Sequence, residues 1–239
     1  MPTARMRAAH LVAAWALLGH LGGVREAAGQ IPRELHAGRF EIHVDGQRAA
    51  MEVFAIRRQG AGRMAVGRVI AELPGVATSF EVGLEVDSKL RPVRYELRPR
   101  DHSTVGIVGT LGGGRFRLVV SGAEGERLKE FLATDDLLIV ERSVAHHYFF
   151  VAERALEASR DGSPRVVEAL SPLDARQVTV VLRGVRNDTI RIGEAERPAR
   201  RIDLVFGEEP RSVWVGPAGE VLRVEIPSRG WSAIRQPQE

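Results

Sequence analysis

Few side chains in this 239-residue sequence have the type and spacing for catalysis, and each has a plainer role available. His146 and His147 are adjacent. On a helix neighbouring residues point about 100° apart, so the two imidazoles cannot share one metal ion. Glu153 falls on the face of His146 about two turns later, but two ligands do not make a metal site, and the sequence has no His-Glu-x-x-His or His-x-His spacing. Asp135-Asp136 stands directly before Leu137-Leu138-Ile139-Val140. A carboxylate pair performs acid–base work when one member is desolvated, whereas an Asp-Asp turn ahead of a buried strand needs no chemistry. Gly112-Gly113-Gly114-Arg115 lacks the lysine and the helix that a phosphate loop requires and reads as a hairpin turn. Cysteine is absent, which excludes disulfides, thiolate metal sites and a cysteine nucleophile. Gly-x-Ser-x-Gly is also missing. Both histidines are therefore expected to be structural, and the chain is read as a non-enzyme with no catalytic residue, metal or cofactor.

The elements around these residues have a period of two. Phe40, Ile42 and Val44 alternate with Arg39, Glu41 and His43 before Asp45-Gly46, a strong hairpin signal. Phe80, Val82, Leu84 and Val86 alternate likewise, as do Val93, Tyr95 and Leu97, then Phe116, Leu118 and Val120. The pattern returns at Val178–Leu182, Ile190–Ile192, Ile202–Phe206, Val213–Val215 and Leu222–Ile226. Apolar side chains on one face and charged ones on the other imply an antiparallel sheet wet on one side. With the less regular runs the sequence predicts about a dozen strands, too many for a flat sheet, so it must curl.

One stretch breaks the period. From Ser143 the chain reads Ser-Val-Ala-His-His-Tyr-Phe-Phe-Val-Ala-Glu-Arg-Ala-Leu-Glu-Ala without Gly or Pro. This predicts a helix over about 143–158, with Ser143 as N-cap and Asp161-Gly162 as stop. Its first turns are apolar nearly all round, so it is expected inside the curled sheet. Tyr148, Phe149, Phe150 and Val151, with Trp231 after the last strand, are the candidate ligand-lining residues. For Trp231 the favoured role is capping the core, with a ligand entrance as the alternative.

Residues 1–29 have the form of a signal peptide: Arg5 and Arg7, an apolar run at Leu11–Leu18, then Ala27-Ala28-Gly29. The run would be about 12 Å long as a helix, too short for a stable transmembrane anchor. The reading places 30–37 as a linker, 38–235 as one β half-barrel domain and 236–239 as a tail, in a soluble periplasmic or secreted bacterial protein. Cleavage lowers the formal charge from +3 to about +1. Basic residues alternate with acids, so no nucleic-acid partner is implied.

Val86-Asp87-Ser88-Lys89-Leu90-Arg91-Pro92-Val93-Arg94-Tyr95-Glu96-Leu97 aligns without gaps to the segment from Val215 to Ile226. An exported chain with a curled sheet, an enclosed helix and a hairpin of the form Val-Asp-x-x-x-Arg-Pro-Val-Arg resembles the bacterial half-barrel superfamily related to periplasmic lipoprotein carriers. That resemblance implies a hollow that holds acyl chains or the apolar tail of a partner. The expected function is binding of an apolar ligand (lipid or acyl chain) or a partner segment in the hollow. The alternatives are a structural or protein-interaction module of the envelope, and an unrecognised hydrolase.

Overall fold

The computed structural model describes residues 34–73, 78–100, 105–160 and 166–237. The expected signal peptide lies outside the described residues, as do Asp161 and Gly162. Among the described residues, fifteen strands form a single sheet. They are β1 (Glu34–Val44), β2 (Gln47–Gln59), β3 (Gly62–Ala71), β4 (Phe80–Val86), β5 (Pro92–Pro99), β6 (Gly106–Gly112), β7 (Arg115–Gly122) and β8 (Gly125–Leu132), then β9 (Leu137–Ile139), β10 (Val166–Ser171), β11 (Arg176–Ile192), β12 (Ala195–Phe206), β13 (Glu209–Val215), β14 (Val221–Ile226) and β15 (Trp231–Arg235). A 3-10 turn at Ala145–His147 runs into the one described helix, α1 (Tyr148–Arg160).

Spatial order descends from β8 to β1, then from β15 to β9, so two meanders are joined where β1 pairs with β15. Every pairing is antiparallel except β9 with β10. That exception has a topological cause: the chain between β9 and β10 is occupied by the helix, and a helical crossover returns the chain in the same direction. The sheet curls far enough for Tyr95 on β5 to hydrogen-bond Glu141, just beyond β9 (3.2 Å), and for Gln177 on β11 to donate to the Leu132 carbonyl at the end of β8 (3.3 Å).

Burial follows the alternation. On β4, Phe80, Val82, Leu84 and Val86 are buried and the residues between them are not. α1 lies in the hollow with Tyr148, Phe149, Phe150, Val151, Ala152, Ala155, Leu156 and Ala158 buried, most of them in one core with the inward residues of both meanders. A second cluster (Ile190, Ile192, Ala199, Trp214 and Leu222) lies apart from the main core near the β11–β12 tip, with Trp214 facing away from its core neighbours Val213 and Val215.

The half-barrel and its enclosed helix match the sequence reading, with three corrections. The helical segment spans 145–160 rather than about 143–158, and Ser143 does not cap it. β1 begins at Glu34, so part of the expected linker is strand. Strand β8, Gly-Glu-Arg-Leu-Lys-Glu-Phe-Leu, went unread because an outermost strand exposed on nearly all its length carries no alternation.

The two aligned hairpins share more than polarity. Both have a one-residue register shift at the aligned position, between Glu85 and Val86 and between Trp214 and Val215. In one turn Asp87 N–H donates to the Arg91 carbonyl and Leu90 N–H to that of Asp87. In the other, Gly216 N–H donates to Glu220 and Gly219 N–H to Gly216. The fourth turn residue is left-handed in each, Leu90 at φ 63° and Gly219 at φ 82°.

Candidate functional site

Two places concentrate polar groups where the alternation asks for apolar ones: the base of the helix, and the mouth of the half-barrel.

At the helix base, Glu52 occupies the inward parity of β2 between Ala50 and Phe54 and is fully buried. Its carboxylate accepts the backbone N–H of Ala145 (2.7 Å) and of His146 (2.9 Å), and contacts His146 Nδ1 at 2.8 Å. The free N–H groups of the first helical turn are thus satisfied by an acid from the sheet. Gly67 on β3 makes room for the imidazole: a Cβ there would stand 2.5 Å from His146 Cε1. His147 Nδ1 accepts the Glu141 N–H at 3.2 Å, which assigns its proton to Nε2. The rings of His146 and His147 meet edge to face, 4.8 Å apart. Glu141 accepts from Leu173 N–H (2.8 Å), Ser171 Oγ (2.9 Å) and Tyr95 OH (3.2 Å). Burial pushes its carboxyl up to about 7 despite these donors. Burial also holds the His147 imidazole well below its usual value and raises the Tyr95 phenol.

Glu52 and His146 have the form of the carboxylate–imidazole pair that orients a general base. Here the imidazole faces no nucleophile: Nε2 of His146 and Nε2 of His147 are both buried with no hydrogen-bond partner, and both residues have no exposed surface. Among the described residues, no group of three potential ligands could hold a metal ion. Asp135 and Asp136 form the turn before β9. Asp135 is wide open and pairs with Arg91, so neither aspartate is desolvated.

The five candidate ligand-lining residues are all buried in the main core. The Tyr148 hydroxyl accepts from Arg211 Nη1 at 2.6 Å, and the Arg211 guanidinium lies over Phe206 while Nη2 bonds Glu209 at 2.6 Å. Phe150 and Val151 are packed among strand side chains, and Trp231 opens β15 opposite Val44 and Ile226. Phe149 differs: it touches His36 (ring centroids 4.8 Å apart) and lies under the Arg235 guanidinium (5.9 Å).

His36 and Arg235 belong to the mouth. Between the start of β1, the end of β15, the β11–β12 tip and the β13–β14 turn is a cavity of about 480 Å³. Arg197, Arg235, Glu34 and Glu220 line it with His36, Leu35, Ile192 and Leu222. Arg235 occupies inward parity beyond Trp231 and Ala233 and pairs with Phe40. Its Nη2 donates to the Ala37 carbonyl at 2.6 Å, while Nη1 is buried without a partner among the described residues. Burial lowers its guanidinium pKa and that of the His36 imidazole, which favours neutral His36. Glu220 Oε2 is likewise buried and unpartnered.

Glu52 and Arg235 were readable in the sequence as charges on the apolar side of alternating strands. Glu141, Glu220 and Arg197 carry no such signal, because they stand beside the strands or on their solvent side.

No family model matches the sequence, and no curated protein matches it. A fold relative exists. The chain is similar to the crystal structure of a β-barrel-like protein of domain of unknown function DUF1849 from Brucella abortus, with a TM-score of 0.55 over 86% of this chain and 97% of that one. At 11% identity the likeness is one of fold alone. It supports a β-barrel-like architecture and does not extend to the lipoprotein-carrier relation.

Proposed function

We propose that this chain is an exported binding protein whose ligand seats at the mouth of the half-barrel rather than in its hollow. The reading rests on one contrast. The hollow is occupied by α1, whose Tyr148, Phe150 and Val151 are 0–2% exposed, while the mouth holds a cavity of about 480 Å³. That volume lies in the usual range for small-molecule sites. A fully acyl-filled hollow would require the helix to leave, exposing its whole apolar face to water. A ligand at the mouth requires no such rearrangement, and an apolar portion could rest on Leu35, Ile192 and Leu222.

Native mass spectrometry of the purified full chain, followed by solvent extraction, tests the reading. A small molecule retained by the wild type and lost on Leu222→Glu, which places a charge in the cavity wall, is the expected result. A ligand retained by that variant but lost when Phe150 is altered would return the site to the hollow.

A second reading, an interaction module that pairs a partner strand with the sheet edge, draws on β8, where Leu128 and Leu132 are 64% and 62% exposed. Glu126, Arg127, Lys129 and Glu130 on the same strand are the charges that ordinarily guard an edge against such pairing, and this ranks it second. The hydrolase reading ranks last, because both imidazoles are sealed from substrate.

A further inference from the structure

The two meanders provide an internal control for the mouth cavity. In the aligned hairpins Arg94 corresponds to Arg223, and their partners across the next strand pair are Thr110 and Ile234. Continuing one residue, Leu111 corresponds to Arg235, and the turn residue Arg91 corresponds to Glu220. A cavity of about 240 Å³ lies at the matching place in the first meander, lined by Arg91, Pro92, Leu111 and Leu137 among others. There the inward position is a leucine, and the Arg91 guanidinium is satisfied by Asp87 at 2.8 Å and Asp135 at 3.0 Å. In the second meander the inward leucine is replaced by arginine. The turn's arginine is replaced by glutamate, and the aspartate that would sit beneath it is Gly216, on which the Glu220 carboxylate folds.

The fold is therefore built in one half without these charges. In the other half they are present and incompletely bonded: a buried donor on Arg235 and a buried acceptor on Glu220 have no hydrogen-bond partner among the described residues, and the Glu220 charge reaches Arg235 only through space. Unmet polar groups of this kind cost roughly 1–3 kcal/mol each, which makes them poor structural devices and good recognition devices. Arg197, exposed on β12, adds a second cation without an ion pair among the described residues, and Glu34 adds a second acid, itself 3.9 Å from Arg57 Nη2. Two cations and two acids around a partly apolar cavity, with His36 held neutral, fit a ligand that itself carries both charges. A simple fatty-acid anion would satisfy the arginines and leave Glu220 without a cation, since Glu34 already has Arg57.

We propose that the mouth cavity binds a zwitterionic small molecule of the amino-acid or short-peptide class, its carboxylate on Arg235 and Arg197, its ammonium on Glu220, and its apolar side chains on Ile192 and Leu222. This inference rests on the mouth reading above and adds the ligand's chemistry to it.

Calorimetric titration of the full chain with leucyl-leucine, its N-acetyl form, its C-terminal amide and octanoate is the test. Leucyl-leucine should bind more tightly than either blocked form by roughly tenfold to a hundredfold, the worth of a hydrogen bond to a charged group. Arg235→Gln should remove the discrimination against the amide, and Glu220→Gln the discrimination against the N-acetyl form. Arg197 is exposed, so Arg197→Gln gives a carboxylate-side variant that does not disturb folding, and it should weaken leucyl-leucine but not its amide. Octanoate binding as well as the dipeptide, with loss on Leu222→Glu, would overturn the zwitterion while leaving a ligand at the mouth. Failure of all four probes, together with no retained ligand by mass spectrometry, would overturn both. Blocked and free dipeptides binding equally would also overturn the proposal.

Discussion

The Glu52 carboxylate closes the start of a helix that begins 93 residues later in the chain, accepting Ala145 N–H at 2.7 Å and His146 N–H at 2.9 Å. Local capping uses a side chain adjoining the helix. Here the cap comes from the second strand, so the helix start and the sheet specify each other.

Glu52→Ala should therefore destabilise the whole domain, by about 3 kcal/mol or more, because it strands two buried N–H groups and one imidazole at once. Glu52→Gln keeps an acceptor but turns an amide N–H2 toward donors, and should cost less. Urea unfolding followed by far-UV circular dichroism measures both. A loss below about 1 kcal/mol for the alanine variant would show that the helix start finds other acceptors.

Glu141 predicts an unusual pH dependence. Its carboxyl is raised from 4.5 to about 7 in the folded state, so between those values the folded protein holds a proton that the unfolded chain has released. Its contribution to stability is fully present below 4.5 and is lost as pH rises through about 7. His147, held well below 6.5, acts in the opposite sense: its penalty grows as pH falls below 6.5, where the unfolded imidazole takes up a proton and the buried one does not. Relative to wild type, Glu141→Gln should gain on the order of 3 kcal/mol between about pH 4 and pH 8. Unfolding free energies across that range check it. A constant difference between the two proteins would mean that Glu141 titrates alike in the folded and unfolded states.

The matched turns give a backbone prediction. Gly219 is left-handed, with nothing within 4 Å of where a Cβ would stand, so Gly219→Ala isolates the cost of that conformation, about 1 kcal/mol. Leu90 has the same backbone but is 4% exposed. Leu90→Gly relieves the strain and empties a core position, so a net loss of about 1–3 kcal/mol is expected in thermal or urea unfolding.

Phe150 distinguishes a filled hollow from an open one. It is 2% exposed among core side chains, and Phe150→Ala should cost about 3–5 kcal/mol through lost burial and the cavity left behind. An open ligand channel would be signalled by a loss under about 1 kcal/mol, the range of ordinary surface changes.

The sequence alone determined most of the strands and their inward faces, the hairpins between them and the presence of one helix too apolar to stay outside, because alternation and helical spacing are written in neighbouring residues. It even carried the two matched hairpins, whose turn bonds and register shifts fall at aligned positions. Tertiary structure alone decided the partners: Arg235 with the Ala37 carbonyl across 198 positions, Tyr148 with Arg211 across 63, Tyr95 with Glu141 across 46. It also decided that β9 and β10 run parallel and that the hollow is full. These outcomes depend on how far fifteen strands curl before their ends meet. Curl accumulates over the whole sheet from small twists at each strand pair, and no local run of residues encodes the sum.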